Sequence, residues 1–218
     1  MESGLVLQAV DFRGLAADGP DSRVPLLEPV EAARAAALEP RARARFTAGR
    51  VALRRFAAEL LDVPAGELQV SYACPVCGSG PDLAHGRPAY TRRGEPLPLV
   101  LSMARTHDWI LLAGLPAPGA GMRLGVDAED PARLDFDGFD AVALSPDERR
   151  AVDGLSGPGL LRERARLWTR KEAWLKMTGE GLRADPCTVG VLGRSGIADL
   201  EPADSGLPAA YVAAVALG

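Results

Sequence analysis

The sequence predicts a mixed α/β protein in two halves, each with its own helix and sheet. Two segments, residues 41–62 and roughly residues 159–178, carry apolar side chains at helical spacing. Short apolar runs bounded by turn residues lie around both segments and favour strands. The loop PAPGAG, residues 116–121, lies between the two sets of elements. We therefore assign residues 1–115 to an N-terminal half and residues 116–218 to a C-terminal half.

The composition is typical of a soluble protein with a sizeable core. Of the 218 residues, 47% are hydrophobic but only 5% are aromatic, so Ala, Leu and Val must build most of the core. The net charge of −4 argues against a nucleic-acid-binding protein. The amino terminus lacks the pattern of a signal peptide, and no stretch has the apolar length of a membrane span. The three cysteines form no visible disulfide framework, and we expect a cytoplasmic protein.

The first-half helix carries one apolar stripe and ends at the sequence VPAG, residues 63–66, while its arginines lie on the other faces. The stripe consists of Phe46, Gly49, Leu53, Phe56, Ala57 and Leu60. Strands are predicted at residues 67–73, 97–104, 108–115, 122–130, 188–192 and 209–217. A loop rich in glycine and proline, residues 74–88, follows the first of these strands.

Two helices are predicted in the second half. Ser145 is a candidate N-cap, with Pro146 at the first helical position and Glu148 three residues after the cap. The sequence GPG, residues 157–159, separates this short helix from the long one. The long helix is expected to end at Gly179 or Gly181, because glycine readily adopts the left-handed conformation that stops a helix.

The long helix has a carboxylate in its apolar stripe. The residues that share this face follow one another at spacings of four, three, four and three: Leu161, Ala165, Trp168, Glu172 and Leu175. A buried carboxylate is costly unless it protonates or meets a cation. Lys176, four residues after Glu172, is the simplest partner on a solvated helix. Such a pair does not explain why Glu172 lies in line with apolar residues.

Two further carboxylates lie on the predicted strand GVDAED. Asp127 and Glu129 are two residues apart, so they project from the same face and repel each other unless a cation lies between them. Hard oxygen ligands in an open arrangement suit Mg²⁺, which also takes phosphate oxygens from a substrate. Glu172 would complete this site, and Lys176 would neutralise charge on a transferring phosphoryl group. The pattern therefore predicts a Mg²⁺ site for phosphate chemistry.

Two motifs resemble elements of the 4'-phosphopantetheinyl transferase superfamily. GVDAED resembles the family's G-[VI]-D-x-E element. WTRKEAWLKMTGEGL, residues 168–182, resembles its W-[ST]-x-K-E-A-x-x-K-x-x-G-x-G-L element. Weaker similarities at HGRP, LSMA and ALSPDE, residues 85–88, 101–104 and 143–148, extend the resemblance over most of the chain. The branch that it resembles most is the surfactin-synthetase-activating (Sfp-like) type.

The resemblance implies both an architecture and a reaction. The 4'-phosphopantetheinyl transferase fold has two similar α/β subdomains related by a pseudo-twofold axis, with coenzyme A between them, and the family suggests a monomer. The reaction, of the holo-[acyl-carrier-protein] synthase type, moves the 4'-phosphopantetheine arm of coenzyme A to a serine of an acyl or peptidyl carrier protein. Adenosine 3',5'-bisphosphate is released. The carrier would belong to a polyketide, nonribosomal-peptide or fatty-acid pathway.

The resemblance also implies roles for individual residues. Asp127, Glu129 and Glu172 would hold Mg²⁺ with the pyrophosphate. Glu172 would also act as base toward the serine hydroxyl, directly or through water. Lys176 would contact phosphate oxygens, and Lys171 would either do the same or anchor the helix. The residues implied at coenzyme A are Arg87 at the adenosine end, Ser102 at the 3'-phosphate and, in a looser register, Arg34 and Arg45.

The chain departs from the family pattern at one position. Where the family has Ser-His, with the histidine against phosphate of coenzyme A, this chain has Ser102 and Met103. Methionine cannot donate the corresponding hydrogen bond. Nearby arginines such as Arg105 would replace the charge, or the affinity for coenzyme A is lower. A third alternative is a relative that binds coenzyme A or a carrier protein without transfer.

Other motifs are weaker. The spacing of Cys74 and Cys77 suits zinc, but a structural zinc usually has four ligands, and only His85 and the distant Cys187 remain as candidates. The family resemblance instead implies a loop near the adenine of coenzyme A, because relatives carry a similar Cys-Gly loop just before the G-R-P element. A redox CxxC is disfavoured because no helix follows directly. The chain lacks a P-loop and a G-x-S-x-G motif. An unrelated Mg²⁺-dependent phosphohydrolase would require the match of both family motifs to be chance.

Overall fold

The computed structural model describes residues 4–13, 26–74, 76–80, 83 and 85–218. Residues 75, 81, 82 and 84 of the predicted loop at 74–88 lie outside the described residues, as do the first three residues of the amino terminus. The described part contains both helices and antiparallel sheets, which confirms the predicted mixed α/β class. No helix there has both the length and the apolar character needed to cross a membrane.

The first half forms two antiparallel sheets and two helices. Its elements are β1 (Val6–Asp11), α1 (Pro29–Ala36), α2 (Pro40–Leu61), β2 (Gln69–Cys74), β3 (Gly78–Gly80), β4 (Arg87–Arg92), β5 (Glu95–Pro96), β6 (Leu99–Thr106) and β7 (Trp109–Pro116). One sheet has the order β1-β7-β6, and the other has the order β3-β2-β4-β5. The predicted loop at 74–88 thus contains a short strand and leads directly into β4.

The second half forms one three-stranded sheet with the order β8-β10-β9. Its elements are β8 (Leu124–Glu129), α3 (Phe139–Ala143), α4 (Pro146–Val152), α5 (Gly157–Thr178), β9 (Ile197–Leu200), α6 (Pro202–Ser205) and β10 (Val212–Leu217). Each half therefore contributes a helix of 22 residues, α2 or α5, and a three-stranded antiparallel sheet. The pseudo-twofold relation and the boundary between residues 115 and 116 stay predictions.

The two three-stranded sheets pack against each other between the two long helices. One core cluster joins α2 to one face of the first sheet, through residues such as Phe56 and Leu112. A second cluster lies between the sheets, where Leu111 of β7 and Val126 of β8 belong to the same buried set. Alternate residues of β7 face opposite clusters because strand side chains alternate. The other face of β8 is therefore left to contact α5.

Several local predictions are confirmed. Ser145 accepts a hydrogen bond from the Glu148 amide, and the Glu148 carboxylate accepts one from the Ser145 amide, which forms the predicted capping box of α4. Gly179 ends α5 in the left-handed conformation, at φ +81°. In α2 the predicted stripe is buried at Phe46, Gly49 and neighbouring positions.

Other local predictions were wrong. The segment at 188–192 forms no strand, and the third strand of that sheet is Ile197–Leu200 instead. The sequence GPG does not separate the helices, because α5 begins at Gly157 and Pro158 lies in its first turn, where its missing amide costs no hydrogen bond. Arg54 of α2 is buried rather than exposed, since it donates to the Leu68 carbonyl at 3.1 Å and pairs with Glu28.

Candidate active site

Strand β8 and helix α5 lie in direct backbone contact at Gly125. A Cβ atom at this position would lie 1.9 Å from the carbonyl oxygen of Ala173 and 2.6 Å from the amide nitrogen of Met177. Such distances are shorter than any non-bonded contact, so only glycine allows the helix to approach the strand this closely. Because of this contact, the side chains two and four positions after Gly125 lie beside α5.

Three carboxylates meet at this contact. Asp127 and Glu129 project from the face of β8 that Gly125 shares, as their spacing predicted, and Glu172 lies on α5. Each of the three has one buried oxygen, Asp127 Oδ2, Glu129 Oε2 and Glu172 Oε1, without a hydrogen-bond partner among the described residues. Buried carboxylate oxygens are rarely left unsatisfied in native proteins, so the cluster has the donor atoms for a bound cation.

The electrostatics of the cluster also favour a cation. Burial and the negative charge of Asp127 raise the pKa of Glu129 to about 7. The same two causes raise the pKa of Glu172. Burial raises the pKa of Asp127 as well, although Lys176 opposes this shift. Each shift records a free-energy cost of keeping the carboxylates ionised together, and a divalent ion would remove that cost.

Lys176 compensates part of this charge. Its Nζ donates to Asp127 Oδ1 at 2.6 Å and to the Val126 carbonyl at 3.1 Å. The lysine therefore pairs with Asp127 across the helix–strand contact, and not with Glu172 alone, as a solvated i, i+4 pair would. The charge of Arg133 lowers the pKa of Glu129, but by less than burial and Asp127 raise it. Three acidic groups thus share two basic neighbours.

The three carboxylates suit Mg²⁺ in donor type, but they are not drawn tightly together. Within the described part of the chain, only a different trio, Cys74, Cys77 and His85, brings three ligand atoms within 4.8 Å of one another. Mg²⁺ is usually held by one or two carboxylates, with waters and substrate phosphates completing its shell. The open arrangement around Asp127 is therefore compatible with an ion that shares its ligands with a phosphate substrate.

The apolar stripe that contains Glu172 is only part of the buried surface of α5. Ala165 and Leu175 are fully buried as predicted, whereas Leu161, Trp168 and Glu172 are half-buried. The remaining buried positions include Leu167, Thr169, Ala173 and Met177. The helix is thus covered over a broader arc than the stripe predicted, because it packs against β8, β10 and the loop that follows it.

Lys171 does not reach the carboxylate cluster. Its side chain is fully buried and pairs with the fully buried Glu148, with Nζ 2.6 Å from Oε2. It also donates to the carbonyl oxygens of Pro186 and Val189. Glu148 in turn accepts from the Val191 amide at 2.8 Å. The enclosure of Lys171 favours anchoring of the helix over contact with phosphate, and the role of this residue stays a prediction.

A cavity of about 600 Å³ lies beside the carboxylate cluster, between the two halves. Four predicted site residues line it: Arg87, Ser102, Met103 and Lys176. Arg50, Thr178 and Arg183 line it as well and were missed by the sequence interpretation. Arg50 lies on the helix α2, four residues after Phe46 of the stripe, and only the fold brings it to the cavity. The volume is typical of a site for a small-molecule ligand.

Arg87 crosses from one half to the other. It donates to the carbonyl oxygen of Met177 in the last turn of α5. A Cβ atom on Gly179 would lie 2.6 Å from its guanidinium, so this glycine is required both by its positive φ and by the approach of Arg87. Burial and the charge of Arg123 lower the pKa of Arg87. The HGRP sequence and the end of α5 therefore form one wall of the cavity.

Ser102 and Met103 lie side by side in the cavity wall. The Ser102 Oγ accepts a hydrogen bond from the Val126 amide at 3.0 Å, so this hydroxyl joins β6 to β8 and retains its own proton for a ligand. Met103 is half-buried and lies next to Gly49 of α2, where a Cβ atom would come within 3.5 Å of its sulfur. The cavity wall is apolar at Met103, the position at which the family that the sequence resembles has a histidine.

The two arginines that were assigned with a loose register lie outside the lining of the cavity. Arg45 donates to the carbonyl of His107, and Arg34 packs its guanidinium on the Phe46 ring at 5.8 Å. Both lie close enough to Arg105 that their charges, together with dense packing and the charge of Arg50, lower its pKa. The direct contact of Arg34 and Arg45 with coenzyme A is thus unsupported.

The comparison with protein families concerns the second half. A model of the 4'-phosphopantetheinyl transferase superfamily matches residues 123–205, which is less than half of the chain. The matched segment begins at β8 and includes the three carboxylates, Lys176 and the whole of α5. No curated protein matches the chain. The match supports a transferase of the phosphopantetheine-transferring kind in general, with coenzyme A and a carrier protein as the partners that this superfamily uses.

Proposed function

We propose that the protein transfers the 4'-phosphopantetheine arm of coenzyme A to a serine of an acyl or peptidyl carrier protein in a Mg²⁺-dependent reaction, as the surfactin-synthetase-activating type does. One observation carries this proposal. Three buried carboxylate oxygens have no partner among the described residues, and Lys176, which donates to Asp127, lines a cavity of about 600 Å³; all four residues lie inside the segment that matches the superfamily.

In the proposed reaction the serine hydroxyl attacks the pantetheine-bearing phosphorus of coenzyme A. A new bond joins the serine oxygen to phosphorus, and the phosphorus–oxygen bond to the nucleotide breaks, which releases adenosine 3',5'-bisphosphate. Bound to Asp127, Glu129 and Glu172, Mg²⁺ would polarise the pyrophosphate and neutralise its charge. Glu172 would also accept the serine proton, directly or through water.

The basic residues of the cavity would hold the rest of coenzyme A. Lys176 lies where its ammonium, already bonded to Asp127, would also contact a phosphate oxygen. Ser102 can donate its hydroxyl proton to a ligand, because in its bond with the Val126 amide the hydroxyl acts only as acceptor. Arg50 lines the cavity and also pairs with Glu31 at 3.7 Å, and its guanidinium would supply a positive charge near Met103.

A groove of about 250 Å³ offers a place for the carrier protein. It is lined by Glu129 of the carboxylate cluster together with Phe136 and Val142 of the surface beside it. Phe136 is 50% exposed and Val142 is 61% exposed, which is unusual for side chains of this size. A protein segment seated there would present its serine next to Glu129.

Intact mass of an apo carrier protein tests the proposed activity. Incubation with coenzyme A, Mg²⁺ and this protein is expected to increase the carrier mass by one phosphopantetheine arm, and EDTA in place of Mg²⁺ is expected to abolish the increase. The absence of any increase across several acyl and peptidyl carriers would overturn the proposal.

Met103 favours a second candidate, a protein that binds coenzyme A or a carrier without transfer. Calorimetric binding of coenzyme A without any change in carrier mass would support this candidate. Met103→His then distinguishes a lost histidine from a different function, because restored transfer would show that the remaining machinery is intact. Release of free phosphate from simple phosphate esters would instead indicate a phosphohydrolase.

A further inference from the structure

The turn after β2 arranges two cysteine sulfur atoms on one side of a hairpin. Cys74 is the last residue of β2 and pairs with Gly78 of β3, so Cys77 lies within the turn. Gly78 has a φ of +85°, which glycine adopts without strain. The backbone amides of Val76 and Cys77 point at the sulfur of Cys74 and donate to it. Such amides stabilise a thiolate in the way that outer-shell donors support metal ligands.

His85 reaches the same place from the next strand. Residue 87 opens β4 opposite Ala73 of β2, so His85 and Gly86 lie beside the end of β2. Gly86 has a φ of +101°, and a Cβ atom there would lie 2.4 Å from the Ala73 carbonyl oxygen. The chain therefore passes directly over the backbone of β2 and brings the imidazole to Cys74. The position of the histidine results from the register of the sheet and a glycine that permits it.

Cys74, Cys77 and His85 present three ligand atoms within 4.8 Å of one another. A tetrahedral zinc with bonds of about 2.0–2.3 Å separates its ligand atoms by roughly 3.3–3.8 Å, so small side-chain rotations would bring the trio to bonding geometry. All three cysteines of the chain, Cys74, Cys77 and Cys187, are free thiols. Cys187, the fourth ligand considered from the sequence, lies elsewhere and donates its thiol to the Ala141 carbonyl at 3.0 Å.

We infer that Cys74, Cys77 and His85 form a zinc site at the rim of the cavity. Two thiolates and an imidazole form a soft ligand set, which selects Zn²⁺ over Mg²⁺. Within the described residues no further His, Cys, Asp or Glu joins the group, so among these residues the fourth position is open to water. Binding converts two thiols into thiolates and releases their protons to solvent.

This metal would be separate from the carboxylate cluster, and its open fourth position distinguishes it from the four-ligand sites that are usual for structural zinc. His85 lies two residues before Arg87, whose guanidinium forms part of the cavity wall. A metal that joins the β2–β3 turn to the start of β4 would hold Arg87 in place against α5. The inference does not depend on the proposed transfer reaction, and its test measures metal content rather than activity.

Metal analysis of the purified protein is the direct test. The full chain is purified without chelators under reducing conditions, and zinc is measured per chain beside magnesium. Cys74→Ser, Cys77→Ser and His85→Asn remove the ligands one at a time, and Cys187→Ser is the matched control for loss of a thiol elsewhere. Metal-free protein is then titrated with Zn²⁺ against a competing chromophoric chelator, and with Co²⁺ to read the coordination geometry from the visible spectrum.

The expected result is one zinc for each chain of wild-type and Cys187→Ser protein, with at least a tenfold weaker affinity in each ligand variant. Cobalt should give the intense visible bands of a tetrahedral site with sulfur ligands. A chelator selective for transition metals over Mg²⁺ should lower the melting temperature of wild-type protein but not of Cys77→Ser. If a ligand variant fails to fold, the titrations of wild-type and Cys187→Ser protein still decide.

Folded, reduced wild-type protein that takes up neither zinc nor cobalt would overturn the inference. Equal zinc affinity in wild-type and Cys74→Ser protein would do the same, because the metal would then be held elsewhere. Thiol titration that finds a disulfide between Cys74 and Cys77 in freshly purified protein would also overturn it.

Discussion

Lys171 and Glu172 are consecutive residues of α5, yet the charge of Lys171 is fully paired and that of Glu172 is not. The Lys171 ammonium is fully enclosed, pairs with Glu148 at 2.6 Å and donates to two carbonyl oxygens. Both oxygens of Glu148 accept backbone amides as well. Glu172 keeps one buried oxygen without a partner, near a second carboxylate of the same sign.

The paired charge of Lys171 stabilises the fold, whereas the unpaired charge of Glu172 is a candidate to bind a ligand. A satisfied buried pair costs desolvation but leaves nothing for a substrate to contact. An unsatisfied buried carboxylate costs stability in the free protein, and such costs persist mainly at functional sites. The α5 helix therefore carries one structural and one candidate functional charge, about 100° apart around its axis.

The largest effect is expected from Glu172→Gln. If Glu172 is the base, transfer should fall by about 10²- to 10⁴-fold. The free energy of unfolding should not decrease, because the substitution removes repulsion by Asp127. Carrier modification rates and denaturant unfolding measure the two effects. Glu163→Gln is the matched control, since Glu163 lies on the same helix but pairs with Arg166. Transfer at the wild-type rate would contradict the comparison.

The next effect concerns the enclosed pair. Lys171→Met leaves Glu148 buried without its cation, which should lower the free energy of unfolding by roughly 3–5 kcal/mol. Adding Glu148→Gln should recover only part of that loss, because it removes the unpaired charge, but the single glutamine oxygen can accept from only one of the Ser145 and Val191 amides while its NH2 group faces the other donor. Denaturant unfolding of both variants measures the effect. A single variant as stable as wild type would show that the pair does not hold the helix.

A smaller effect is expected from pH and Mg²⁺. Between the unfolded-state pKa of a glutamate and about 7, folded Glu129 binds more protons than the unfolded chain, so its contribution to stability decreases as pH rises. Mg²⁺ should reverse this loss. The increase in melting temperature on adding Mg²⁺ should therefore be larger near pH ~8 than near pH ~5.5. Glu129→Gln should reduce the difference, and an increase independent of pH would argue against a metal between these carboxylates.

The smallest effect is expected at the groove beside Glu129. Phe136→Ser removes an exposed aromatic side chain, so the KM for the carrier protein should rise by roughly five- to tenfold, as expected when an interface residue worth about 1 kcal/mol or more is lost. The KM for coenzyme A should not change. Leu192→Ser, at another exposed apolar side chain, is the control. Equal KM values for the carrier in both variants would place the docking surface elsewhere.

Much of the candidate site could be predicted because it depends on spacing within single elements. Residues two apart on a strand share a face, which brought Asp127 and Glu129 together. The capping box at Ser145 and the left-handed stop at Gly179 are also local, and both were found. The false strand at 188–192 shows the limit, because a short apolar run forms a strand only where another strand is free to pair with it.

By itself, the sequence determined the mixed α/β class, the two long helices and the shared face of Asp127 and Glu129. Each rests on spacing within one element, whose geometry the backbone prescribes. The approach of Glu172 and Lys176 to these two carboxylates joins α5 to β8, and Lys176 donates to Asp127 across 49 positions of the chain. Only the tertiary structure decided which polar groups are satisfied. The partner of Lys171 lies 23 positions away. The Val126 amide donates to Ser102 of the other half, and the Met177 carbonyl accepts from Arg87. The same holds for Cys74, Cys77 and His85, because sheet register and two glycines bring them together. Contacts between distant segments depend on how whole elements pack, and residue spacing carries no information about that packing.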